Sequence, residues 1–226
     1  MVEYEKLLIE GFKETSMFSL ENRNGNRSSL RTDILNRHAC KLIEEHLPGP
    51  REDWTLSTEL KIPCTRSTPQ DPNKTFSVDV VYTHVETGRR VYVLLKCIER
   101  SYNKNRANFA NTTLGEVERI YGYSELYEDK LKKDRKNDVT LFLTLMMEHV
   151  PVNDSGKYEK TKKSEPNIAN LRVYNQNVHQ ITAILNSNGI GNREENIQSI
   201  SKIVNDESVK RNFEGFGDNV SRILSI

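Results

Sequence analysis

Three cysteines in 226 residues, Cys40, Cys64 and Cys97, are too few and too scattered to staple a fold. None shows the CxxC or Cys/His spacing of a zinc site, so free thiols in a reducing compartment are expected. No run of about 18 apolar residues occurs, and no apolar stretch follows a basic start. These two absences argue against a membrane span or secretory leader and for a soluble, intracellular, cytoplasmic protein. Excess charge of one sign is missing too: 33 basic against 32 acidic residues leave +1, which gives no overall attraction to nucleic acid. The five histidines form no HxH or HExxH pattern, and G-x-S-x-G, Walker A and dinucleotide fingerprints are absent.

What the chain does have is order along its length. Residues 2–15 and 32–46 read as helices, the second with Leu35, Ala39, Leu42 and Ile43 at helical spacing and Pro48-Gly49-Pro50 behind it. Residues 55–62 alternate as a strand, and Phe76–His84 and Arg90–Ile98 read as a hairpin turned at Glu86-Thr87-Gly88. Residues 22–29, 65–74, 101–112 and 153–167 have loop composition. A helix is expected from about Thr113, where Thr113 and Glu116 match a capping box. Residues 139–150 are too continuously apolar for a half-exposed strand and suit one buried on both faces. Leu171, Tyr174, Val178, Ile181, Ile184 and Leu185 then recur as in a helix closed by Asn188-Gly189, before one or two short helices at 190–226. No repeat or linker divides the sequence. The expectation is a single α/β domain over residues 1–226, with a mixed central sheet flanked by helices.

The hairpin carries the chemistry. Alternation puts Ser77, Asp79, Val81 and Thr83 on one face of its first strand and Tyr92, Leu94 and Lys96 on one face of its second. An acid between Val78 and Val80 needs a partner. Six basic residues (Arg89, Arg90, Lys96, Arg100, Lys104 and Arg106) stand against Glu99 alone over positions 89–106, a local footprint suited to phosphates. In the segment after the hairpin, Lys104 and Arg106 can neutralise phosphates. Ser101, Asn103, Asn105 and Asn108 can bond phosphates or base edges, and Tyr102 and Phe109 can stack on bases or pack inward. The basic runs 130–136 and 157–163 suit solvated surface, and His149 suits a structural role.

Asp on the second strand followed by x-x-Lys on the third resembles the PD-(D/E)XK nuclease superfamily, and within it the type II restriction endonucleases. The likeness spans roughly residues 32–185. It departs at Val78, where the family has proline, and at Leu94, where a second acid normally stands two residues before Lys96. The resemblance implies a restriction endonuclease-like core and Mg²⁺-dependent cleavage of double-stranded DNA by a homodimer. Asp79 would bind metal, Lys96 would orient the water, and Glu116 or Glu59 would replace the missing acid as catalytic and metal-binding residues. Ser101, Tyr102, Asn103, Lys104, Asn105, Arg106 and Asn108 would contact the nucleic acid. Two alternatives remain: a non-cleaving nucleic-acid-binding protein on the same fold, or an interaction domain in which Asp79 and Lys96 form an ordinary ion pair.

Overall fold

Three parallel strands and one antiparallel hairpin extension share a single sheet, and the apolar pattern of the sequence dictates both parts. The computed structural model describes residues 3–22, 29–63, 75–126, 138–152, 156–161 and 177–225, with backbone alone at 3, 29–32, 63, 104–106 and 122–126. The elements run α1 (Glu3–Glu21), α2 (Ser29–Glu44), β1 (Trp54–Pro63), β2 (Thr75–His84), β3 (Arg90–Ile98), α3 (Tyr102–Leu126), β4 (Val139–Met147), β5 (His149–Pro151), β6 (Tyr158–Lys160), β7 (Val178–Leu185), α4 (Arg193–Gln198) and α5 (Asp206–Leu224). The central sheet has the order β1-β2-β3-β4-β7, and β5 and β6 form a separate short ribbon. β1, β2 and β3 are antiparallel neighbours, whereas β3, β4 and β7 run parallel. This is an α/β architecture with a mixed sheet, as the sequence leads one to expect.

Gly88, at φ +69°, supplies the left-handed residue that closes the β2–β3 hairpin. Every residue of β4 is buried, because helices cover both of its faces. On one side, α1, α2 and α5 lay Phe12, Leu42, Ile43, Phe213 and Phe216 against Val80, Tyr82, Val93, Leu141 and Leu143. A Cβ at Gly11 would lie 2.8 Å from Cβ of His38, so a glycine is what lets α1 and α2 approach this closely. On the other side α3 packs Val117, Ile120 and Tyr121 onto Tyr92, Leu94, Phe142 and Val178. Among the described residues no helix is long and apolar enough to cross a membrane.

The last helix, α5, has 19 residues and is not the short helix expected there, and two further elements differ in kind. Residues 101–112 are not a loop, because α3 starts at Tyr102 rather than near Thr113. Tyr102, Phe109 and Thr113 lie on one helical stripe, with the two rings stacked at 5.9 Å. Packing of that stripe overrides the poor helix propensity of four asparagines. Thr113 is therefore about three turns inside the helix. Its hydroxyl donates to the Phe109 carbonyl at 2.9 Å, so the capping box does not form. The second difference is β7. Its odd residues Ile181, Ala183 and Leu185 face α5, and its even residues face α3. Burial of both faces erased the alternation that would have marked a strand, leaving a spacing that mimics a helix. Residues 171–176 lie outside the described residues, as do 23–28, 65–74 and the basic run 130–136. Within the charged segment 153–167, Tyr158–Lys160 forms a strand against β5.

The outer edge of β7 is closed by the segment that leads into α5. Asn205 Oδ1 accepts from the Ile184 N–H at 2.9 Å, and its Nδ2 donates to the Thr182 carbonyl at 2.8 Å. At the opposite end of the sheet, Asp138 ties β3 to the start of β4. Buried at 3% exposure, it accepts from the Arg90 N–H and the Tyr92 hydroxyl, both at 2.9 Å. Replacing Asp138 by Ala leaves both donors without this acceptor and is expected to cost about 2–3 kcal/mol in urea unfolding. Tyr92→Phe, which removes one donor, is expected to cost about 1 kcal/mol.

Candidate active site

Asp79 stands where two strands part. β2 and β3 pair from Thr83↔Arg90 to Val80↔Val93, and no pair forms at Asp79. Its carboxylate takes over the ladder's role, accepting from the Leu95 N–H at 2.9 Å. On the other flank β1 and β2 keep register on both sides of Glu59 and Asp79 but do not pair there, and Glu59 is held at φ +50°. Side-chain alternation slips at this point: Val78 and Val81 both join the α3-side cluster, although strict alternation would put them on opposite faces. The expected sharing of one face by Ser77, Asp79, Val81 and Thr83 is thus broken at Asp79.

Lys96, two residues beyond Leu94 on the same face of β3, reaches into the strip between the sheet and α3. There its Nζ donates to Glu116 Oε1 at 2.7 Å. Glu116 faces the sheet because it lies on the buried stripe Thr113, Glu116, Val117 and Ile120 of α3. Its side chain is only 9% exposed and that of Lys96 29%, and the second carboxylate oxygen of Glu116 is buried with no hydrogen-bond partner. Leu94 is buried in the α3-side core. α3 thus brings Glu116 to the lysine.

Burial pushes the Asp79 carboxyl above its ordinary value. The Leu95 N–H bond and the nearby Lys96 ammonium oppose the shift, and the Glu59 carboxylate adds to it. Glu59 is exposed, and it belongs to this group through its charge on Asp79 rather than by contact. Glu44 lies elsewhere, on α2, where it bonds Arg51 at 2.8 Å and Tyr82 at 3.3 Å.

Ser101, Tyr102 and Asn103 make internal contacts. Ser101, at φ +49°, donates to the Val152 carbonyl at 3.2 Å. Tyr102 is 1% exposed, and Asn103 Nδ2 donates to the Lys160 carbonyl at 3.3 Å. Asn108 is exposed on α3. The side chains of Lys104, Asn105 and Arg106 lie outside the described residues. The structural reading of His149 agrees with its Nδ1 contact to the Ser187 carbonyl at 2.6 Å. Cys40 and Cys97 are in no disulfide, and Cys64 lies outside the described residues.

One group of residues was not foreseen. In register across the parallel strands, Lys96, Thr144 and Thr182 form a row, with Gln180 two residues before Thr182. With Ile98, Tyr102, Phe109, Thr113 and Met146 they line a cleft of about 20 Å³. Polar residues interrupting apolar strands at Thr144 and Thr182 were the available signal in the sequence.

Among the described residues no three His, Cys, Asp or Glu side chains converge as a ready-made cation cage. Mg²⁺ commonly takes one or two protein carboxylates and completes its shell with water and phosphate oxygens. The unpartnered Glu116 oxygen and the charge-disfavouring surroundings of Asp79 fit that limited donor set. Comparison of the chain with family models, curated proteins and solved structures finds no match.

The raised Asp79 carboxyl has a consequence for stability. The folded chain binds that proton more tightly than the unfolded chain, so stability falls as pH rises from the ordinary value of 3.8 through the raised one. Asp79→Asn keeps an acceptor for Leu95 and removes the buried charge. It is expected to raise the urea midpoint at neutral pH, with the gain disappearing near about pH 3, where the wild-type carboxyl is protonated too. For the neighbouring pair, Lys96→Ala leaves Glu116 without its cation and is expected to cost about 1–3 kcal/mol. The double variant Lys96→Met/Glu116→Leu should recover most of that loss.

Proposed function

We propose that this chain is a divalent-cation-dependent endonuclease of restriction endonuclease-like fold that hydrolyses double-stranded DNA. The observation that carries the reading is the 2.7 Å contact between Lys96 on β3 and Glu116 on α3, beside a strand position held by Leu94. Lys96 thereby bonds Glu116 on the α3 side of the sheet and lies near enough to Asp79 to act on its charge, where β2 and β3 separate.

In this reading Asp79 and Glu116 would hold Mg²⁺, with Glu59 adding negative potential from the strand edge, and the cation would supply Lewis-acid activation of the phosphate. Glu116 fixes Lys96, and the lysine ammonium orients the attacking water and offsets charge building on the phosphate. Asp79 stays attached to β3 through the Leu95 N–H, so its carboxylate is already oriented when substrate arrives. In this reading Lys104 and Arg106 contact the DNA backbone, and Asn105 and Asn108 its phosphates or base edges. Recognition of a palindromic site would engage two copies related by a two-fold axis.

A second reading is favoured by the same contact. Lys96 and Glu116 already neutralise each other, and Leu94 is buried where an acid would stand, which suits a nucleic-acid-binding module that does not cut.

Incubation with plasmid DNA and Mg²⁺ separates the two. Discrete fragments are expected from the wild type, and cleavage should fall by about 10²–10³-fold in Asp79→Ala and Glu116→Gln with DNA binding retained. Binding without fragments would favour the non-cutting module. Loss of Lys104 or Arg106 should lower the slope of log affinity against log salt by about one unit for each phosphate contact removed. An unchanged slope in both variants would remove α3's first turns from the interface.

A further inference from the structure

Behind Lys96 the sheet carries polar atoms that an apolar core would not tolerate. Thr182 is 6% exposed, and its hydroxyl has no hydrogen-bond partner. The buried Oε1 of Gln180 has none either. Both side chains line the same cleft as Lys96, Thr113 and Thr144. A buried hydroxyl or amide left without a partner costs about 1–3 kcal/mol. Two on one strand, both directed into one cleft, therefore point to a shared occupant.

The size and chemistry of the cleft limit what that occupant is. Its space of about 20 Å³ admits a single water or hydroxyl-sized group. Strands are spaced about 4.8 Å apart, so Lys96 and Thr182 are roughly 10 Å apart at the backbone with Thr144 between them. Lys96 gives one ammonium hydrogen to Glu116 and keeps two more, so a water in the cleft can accept from it while donating to β7. The donors and acceptors match as well: an ammonium hydrogen on one side, a hydroxyl and an amide oxygen on the other.

We propose that this cleft holds a bound water through which Gln180 and Thr182 of β7 act as positioning residues for Lys96. The inference rests on the nuclease reading for its catalytic consequence and on the cleft alone for the water. Fixed at Glu116 on one side and at the water on the other, the Lys96 ammonium keeps one orientation toward the reacting phosphate. Gln180 and Thr182 themselves touch no substrate.

Two measurements test this. High-resolution crystal structures of the wild type and of Thr182→Val are compared at the cleft. An ordered water within hydrogen-bond distance of Lys96 Nζ and Thr182 Oγ1 is expected in the first and its loss in the second. A wild-type cleft that is dry overturns the proposal, whatever the protein does to DNA. The second measurement is Mg²⁺-dependent cleavage of plasmid DNA. Thr182→Val and Gln180→Met are expected to lower kcat by about 10–100-fold with KM unchanged, and Thr182→Ser to restore the rate. An unchanged kcat in both variants, or a change in KM alone, overturns the positioning role. A wild type that holds the water but cuts no nucleic acid overturns the nuclease reading and the role in catalysis, and leaves the water site standing.

Discussion

The contact between Lys96 and Glu116 is made in the strip between α3 and the sheet, where both charges have lost much of their water. Such a pair holds only if each partner stays within reach, because either charge alone would be left poorly solvated. That requirement links the placement of α3 to the end of β3. The helix must present the face bearing Thr113, Glu116, Val117 and Ile120, and the same face supplies the apolar contacts with Tyr92, Leu94 and Phe142. Apolar packing and charge pairing thus specify one rotation of the helix. Asp79 adds a second fixed point, since its carboxylate can take the Leu95 N–H only where β2 has left the ladder.

Much of the sheet was legible because its residues obey a single rule at a time. The β2–β3 hairpin has Gly88 at its turn and falls where expected, although its alternation fails at Asp79, and β4 declares burial on both faces by its continuous apolar run. α3 and β7 were misread where two rules compete. In α3 the composition of residues 101–112 speaks for a loop, and only the contact between Tyr102 and Phe109, seven residues apart, reveals that they belong to a helix. In β7 the outer face packs on α5 and the inner face on the cleft, so no polar side remains to mark the period.

The candidate site was legible in the same uneven way. Asp79 and Lys96 are visible as ionisable residues in apolar strands, and Glu116 as the first acid of the helix that follows. That Glu116 meets Lys96 instead of capping a helix depends on where α3 begins, which is a tertiary fact. Thr182 stands out only as a polar residue in an apolar segment, and its shared face with Gln180 is hidden when that segment reads as a helix, which puts side chains in different places. The local geometry at Glu59 and Asp79, with a left-handed residue opposite the parting of two strands, is likewise beyond what alternation conveys.

The contacts of the charged group are close in sequence as well as in space. Asp79 bonds Leu95 across 16 residues, and Lys96 bonds Glu116 across 20. The far wall of the cleft comes from residues 178–185, reached only after β4. Local contacts form early and distant strand pairings late, since loop closure must precede them. The charged centre is thus local to the hairpin and α3, and β7 contributes only the far wall of the cleft behind it.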